Sequence, residues 1–203
     1  PPLPHERIMT YNVLGAVGRD RHTDPSRIFD VITEINPTIL GLQEVRTGRN
    51  GNPGILDIIE LRSAEYHTLF LKTLTDSQGD YGNALVTRYP VTDHIDVSLD
   101  PPPRAGPGSR PPEARRAIFA RLDVHGCAVW VIVTHLAVER RFRRRQANIL
   151  LSAIDTHTRL EHEPAIFLGD FNEWRQPNGF HRNLDRRFSR NVIRRTFPAA
   201  FPI

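Results

Sequence analysis

Apolar and polar positions along this chain fall in short blocks whose period changes several times. Arg7 to Leu14 (RIMTYNVL) is apolar and rich in β-formers, and predicts a strand. Asp24 stands before Pro25, an N-cap followed by proline at the first helical position. Ile28, Val31, Ile32 and Ile35 then recur at helical spacing, so residues 25–36 predict an amphipathic helix that Asn36-Pro37 ends. Residues 38–45 (TILGLQEV) predict a second, mostly buried strand, and 54–64 a second helix. Strands are predicted over 66–73, 83–89 and 91–99, with turn signals between them, and over 115–124 and 127–134, the last two joined as a hairpin by His125-Gly126. Residues 138–159 predict the longest helix, with Phe142, Ile149, Leu150, Ala153 and Ile154 largely on one face. A further buried strand (164–169) and a helical turn near 178–187 complete the pattern.

Several consecutive strands in the middle of the chain break the regular alternation of a doubly wound parallel sheet. The order fits an α/β fold in which two mixed β-sheets pack face to face with helices outside. Residues 100–113 (DPPPRAGPGSRPPE) hold six Pro and two Gly, which excludes a helix or strand interior and predicts a long surface loop. No apolar run approaches the roughly 20 residues that span a bilayer, so no membrane span is expected. A lone Cys127 excludes an intrachain disulfide framework and a cysteine-based zinc cluster. The N-terminus, Pro1-Pro2-Leu3-Pro4, lacks a signal pattern, and a cytoplasmic location is expected.

Charge changes the picture more than composition does. Of 27 basic residues, 26 are Arg and only Lys72 is Lys. Residues 140–203 carry 13 basic and 6 acidic groups, whereas residues 1–139 carry 14 and 17. A basic half suits phosphates, of nucleic acid or of lipid headgroups alike. Codon usage is the simpler account of the Arg excess. Arg140, Arg141, Arg143, Arg144 and Arg145, which open the long helix, and Arg186 and Arg187 are read as a solvated face. Trp130 is read as core, and Trp174 as a residue at the rim of a site.

Polar residues interrupt or end the apolar runs at four places. Asn12 is embedded in the first strand; Gln43-Glu44 ends the second; Thr134-His135-Leu136 ends the hairpin; Gly169-Asp170-Phe171-Asn172 ends the strand after the long helix. A carboxylate in such a position is costly unless paired or bound to a cation. Glu and Asp with Asn, and no Cys cluster, favour a hard, oxygen-loving ion such as Mg2+. Such an ion polarises a phosphoryl group during in-line attack by water. Taken singly, each residue has a plainer reading: Glu44 as an exposed strand end, Asp170 and Asn172 as a turn, His135 as a core histidine, Asn12 as a bond to neighbouring backbone.

Together the segments TYN (10–12), LQEV (42–45), GDYGNALVTRYP (79–90), THL (134–136) and GDFN (169–172) resemble, in content and order, the endonuclease/exonuclease/phosphatase superfamily of deoxyribonuclease I-like proteins. The resemblance covers essentially the whole chain. It implies a four-layer α/β sandwich and a Mg2+-dependent hydrolase of phosphate esters, a phosphodiesterase above all, with Mn2+ as the alternative ion. The implied substrate is nucleic acid, a phospholipid headgroup or a phosphorylated sugar; no protein partner is implied. Glu44 is then the principal metal ligand and Asn12 sits beside it, binding the metal directly or through water. Asp170 orients or activates the attacking water, and Asn172 holds the phosphate and supports Asp170. His135 donates to a phosphate oxygen. Arg115 contacts phosphate and Asn83 lines the pocket. Family members carry a further Asp and a Ser-Asp-His motif on a late strand, which supplies the general base; neither lies before Ile203. The chain is therefore expected to be one domain of this type over residues 1–203 lacking its C-terminal strands. Two other classes stand beside the enzyme: a noncatalytic binding module or inactive fragment of the same fold, and a basic nucleic-acid binder.

Overall fold

A computed structural model describes residues 6–49, 51–100, 113–158, 162–173 and 179–189. The elements run β1 (Ile8–Asn12), α1 (Pro25–Ile35), β2 (Ile39–Arg46), α2 (Ile55–Arg62), β3 (His67–Asp76), β4 (Gly79–Thr87), β5 (Val91–Ser98), β6 (Arg116–Val124), β7 (Cys127–His135), α3 (Arg140–His157), β8 (Ala165–Asp170) and α4 (Gly179–Asp185). Most of the proline-rich segment, and Trp174, lie outside the described residues. No described helix is long and apolar enough to cross a membrane.

The strands form two four-stranded mixed sheets, ordered β1-β2-β4-β3 and β5-β6-β7-β8. In the first, β1 and β2 are parallel and the rest antiparallel; in the second, β7 and β8 are the parallel pair. Strand periodicity sorts the apolar residues into three buried layers. Ile39 and Leu85 of the first sheet meet Ile118, Leu122, Val131 and Val133 of the second in the central layer. Leu40, Leu42 and Val86 face outward onto Ile28, Ile32, Ile55 and Ile59 of α1 and α2. Phe119, Trp130 and Ile132 face the other way, onto Leu150 and Ile154 of α3. The result is the four-layer α/β sandwich, helices outside and two sheets within. Gly41 permits this spacing: a Cβ there would lie 3.1–3.2 Å from Leu168 and Val133 of the opposite sheet.

The local signals at α1 act as the sequence implies. Asp24 Oδ1 accepts the Ser26 N–H at 3.0 Å, and Asn36 closes the helix in the left-handed region at φ 52°. Two expectations are corrected. β1 ends at Asn12 instead of running to Leu14, because Asn12 Oδ1 accepts the Leu14 N–H at 3.0 Å and Leu14, Gly15 and Ala16 take positive φ in a tight turn. Asn12 is thus at a strand end, not mid-strand. β4 begins at Gly79, four residues before the expected 83, and β3 extends to Asp76. The Gly-rich GDYG segment reads as a turn, yet Gly82 lies within the ladder; a Cβ there would sit 2.0 Å from Leu71 O, so close pairing, not a turn, calls for glycine.

Candidate active site

The two parallel strand pairs end side by side. β1 and β2 on one sheet, and β7 and β8 on the other, bring their C-terminal ends together, the usual place for a site in α/β proteins. Asn12 is the last residue of β1, His135 of β7 and Asp170 of β8, with His135 and Asp170 in register. Glu44 is delivered differently. Between Leu42 and Val45 the register of β2 against β4 shifts, and Glu44 sits in this bulge at φ 59°. The extra residue lets Leu42 and Val45 both face the helix layer and turns Glu44 out of the strict alternation.

Asn12 joins the two sheets. Its Nδ2 donates to Glu44 Oε1 at 2.7 Å and to Asp170 Oδ2 at 3.0 Å. His135 Nε2 lies 3.9 Å from that Glu44 oxygen and 3.8 Å from that Asp170 oxygen. Asp170 is held at its other oxygen too, where Oδ1 accepts the Asn172 N–H at 2.9 Å. Asn172, at φ 49°, donates from Nδ2 to Leu136 O at 2.9 Å, and the same nitrogen stands 3.0 Å from His135 Nε2. Five of the seven residues expected at the site, Asn12, Glu44, His135, Asp170 and Asn172, are therefore in one cluster.

The other two are placed behind it. Arg115 is buried, and its guanidinium turns inward: NH1 lies 3.2 Å from His135 Nδ1 and NH2 3.1 Å from Glu113 Oε2. Asn83, also buried, donates across the sheets to Arg116 O at 3.2 Å. Tyr81, two residues earlier on β4, went unremarked in the sequence. Burial and the facing Glu44 carboxylate push its hydroxyl well above the usual phenol range. Arg46 stacks over the Tyr81 ring at 5.1 Å while pairing Asp76 in bidentate fashion, both bonds 2.9 Å. The only sequence signal was an aromatic residue amid the glycines of GDYG. Among the Arg residues opening α3, Arg143 is structural: it reaches Glu173 at 3.3 Å and the carbonyls of Ala137 and Val138, so it braces the two loops that follow β7 and β8.

Burial, with the Arg115 guanidinium second, pushes His135 down to about 4 despite the opposing carboxylates. His135 is thus uncharged at neutral pH. An unfolded chain binds this proton near pH 6.5, so the stabilisation from an uncharged His135 is complete above 6.5 and is lost as pH falls toward 4. In EDTA, the urea midpoint of the wild-type chain is expected to drop over that window more steeply than that of His135→Gln; parallel curves would contradict this.

Among the described residues no three His, Cys, Asp or Glu side chains form a ready metal cage. The donor set nevertheless suits a hard divalent cation. Two carboxylates are drawn to one amide nitrogen, and like charges so close repel unless a proton or a cation lies between them. The ligand atoms on offer are all oxygen.

Residues 9–202 match the endonuclease/exonuclease/phosphatase family, and the chain belongs to it. Members of that family are phosphoesterases and nucleases, generally dependent on divalent metal. The chain is 27% identical over 218 residues to the uncharacterized protein YbhP of Escherichia coli K12, across 97% of this chain and 81% of that protein. Among solved structures it resembles an endonuclease/exonuclease/phosphatase from Beutenbergia cavernae (TM-score 0.67, 24% identity, 86% of this chain and 49% of that one). It also resembles the catalytic domain of human nocturnin, solved with a bound sulfate anion (TM-score 0.65, 24% identity, 83% and 65%). The chain spans less than two thirds of the length of either solved relative.

Proposed function

We propose that this chain is a Mg2+-dependent hydrolase of phosphate esters, acting chiefly on diesters, at the paired strand ends. The observation that carries the reading is the meeting of Glu44 and Asp170, from different sheets, on the Asn12 amide beside the buried His135. Glu44 would hold the ion, with Asn12 beside it, directly or through water, and the ion would supply Lewis acidity to the phosphoryl oxygens. Asp170, fixed at both oxygens, orients the attacking water and accepts its proton as the new P–O bond forms and the ester P–O bond breaks. His135 Nε2 and Asn172 Nδ2 donate to a nonbridging oxygen as charge develops there. Nucleic acid, phospholipid headgroups and sugar phosphates all present this group.

The test is turnover of bis(4-nitrophenyl) phosphate in Mg2+. Wild type should hydrolyse it, EDTA should abolish the rate, and His135→Ala should cut kcat by about 10²–10³-fold. Equal rates for wild type and His135→Ala would remove the site assignment. A panel of DNA, lysophospholipid, sphingomyelin and inositol phosphate then sorts the substrate class.

A further inference from the structure

We propose that Arg115 is a positioning residue that fixes His135 in the Nε2–H tautomer, so that His135 and Asn172 present two N–H donors to one phosphate oxygen. This deepens the function proposed above and rests on it for the identity of the anion.

The geometry is a conflict of donors. An imidazole with one N–H has one nitrogen that donates and one that accepts. His135 is 3% exposed and meets nitrogen donors at both ends: Arg115 NH1 at 3.2 Å from Nδ1 and Asn172 Nδ2 at 3.0 Å from Nε2. Neither neighbour accepts from it, so a doubly protonated ring would set an N–H against a donor at both ends. A guanidinium has no acceptor to offer whichever way it turns. Asn172 could in principle turn its oxygen to His135, but Leu136 O at 2.9 Å requires the amide NH2 on that side. One donor must therefore give up the imidazole lone pair. The charged donor makes the stronger bond, so Arg115 takes Nδ1. Its own position is braced by Glu113 at NH2 and by burial.

The proton is then on Nε2, facing the carboxylate ends of β2 and β8. Among the described residues it finds no acceptor at hydrogen-bond distance, since the Glu44 and Asp170 oxygens lie at 3.9 and 3.8 Å. Two N–H groups with their nitrogens 3.0 Å apart repel each other unless an oxygen bearing negative charge accepts from both. A nonbridging phosphate oxygen is such an acceptor. Arg115 thus acts without touching phosphate, contrary to the role the sequence resemblance gives it.

Nitrogen-15 NMR of the imidazole signals, with His135 among the nine histidines identified by its loss in His135→Gln, reads the tautomer with no substrate present. Wild type should show Nε2–H. Arg115→Met, which keeps bulk but no donor, should switch His135 to Nδ1–H as Asn172 claims Nε2, and Arg115→Lys should retain Nε2–H. On bis(4-nitrophenyl) phosphate in Mg2+, Arg115→Met should lose about 10²-fold in kcat with KM nearly unchanged, and Arg115→Lys should recover most of it. Nδ1–H in wild type, or an unchanged tautomer in Arg115→Met, overturns the proposal. So does a rise in KM at constant kcat, the signature of a direct phosphate contact. If Arg115→Met does not fold, the wild-type and Arg115→Lys spectra still decide. An Nε2–H wild type that hydrolyses no phosphate ester keeps the assignment of Arg115 and removes the proposed function instead.

Discussion

Replacing Glu44 by Gln is expected to lower kcat/KM for bis(4-nitrophenyl) phosphate by about 10³-fold, roughly 4 kcal/mol of transition-state stabilisation. The substitution keeps an oxygen to accept the 2.7 Å bond from Asn12, so the cluster stays assembled. What it removes is charge. Without the Glu44 carboxylate, Asp170 is the remaining acid on the Asn12 amide, and the mutual repulsion that favours a cation is gone. The Mg2+ concentration for half-maximal rate should therefore rise together with the loss of rate, while the urea midpoint stays near that of wild type. Titrating activity against Mg2+ in both proteins reads this directly. An unchanged Mg2+ dependence would place the metal elsewhere.

Phe119→Ala is expected to have the largest effect on stability, about 3–5 kcal/mol. Phe119 is fully buried on β6 and packs in the layer between the second sheet and α3, where its ring meets His157 edge-on at 5.9 Å. Removing the ring leaves a cavity that the neighbouring strands, locked in register on both sides, can close only in part. Against a total of about 5–15 kcal/mol for a typical domain, this is a large fraction. Urea unfolding followed by far-ultraviolet circular dichroism gives the difference. Leu61→Ala is the control: Leu61 is 85% exposed on α2 and should shift stability by about 0.5 kcal/mol at most.

The parts of the fold that obey local rules were legible in the sequence. Asp24-Pro25 starts α1 and Asn36 ends it because capping and proline geometry act within a few residues. The strand ends carrying His135, Asp170 and Asn172 were legible because a polar group after an apolar run is costly unless it has a task. What was not legible depends on contacts distant in sequence. The bulge that re-aims Glu44 is invisible to a period-two pattern, which assumes strict alternation. The apolar Val13 and Leu14 extend the first strand on paper, but Asn12 turns the chain by capturing the Leu14 N–H. Gly82 looks like a turn because its reason, Leu71 O, lies on the neighbouring strand. Arg115 is a phosphate contact only by the resemblance, from its place ahead of the THL strand; that its guanidinium faces the rear of His135 is a matter of packing, which the sequence does not carry. Tyr81 has only its place among the glycines of GDYG to mark it, because the Glu44 it faces lies on the neighbouring strand.

The division of the site between the sheets has a consequence for how the protein comes into being. The described strands of the first sheet all lie before Val91, and those of the second run from Val91 to Asp170. Asn12, Glu44 and Tyr81 therefore leave the ribosome together, early, on a sheet that holds one wall of the site and none of the groups opposite. Arg115, His135, Asp170 and Asn172 follow on the other. The bond from Asn12 to Asp170 bridges 158 positions of chain and can close only after the two walls have met. The Asn12–Asp170 contact thus forms only once β8 is made, and in a refolding experiment its appearance marks the moment the walls join, not the moment either of them forms.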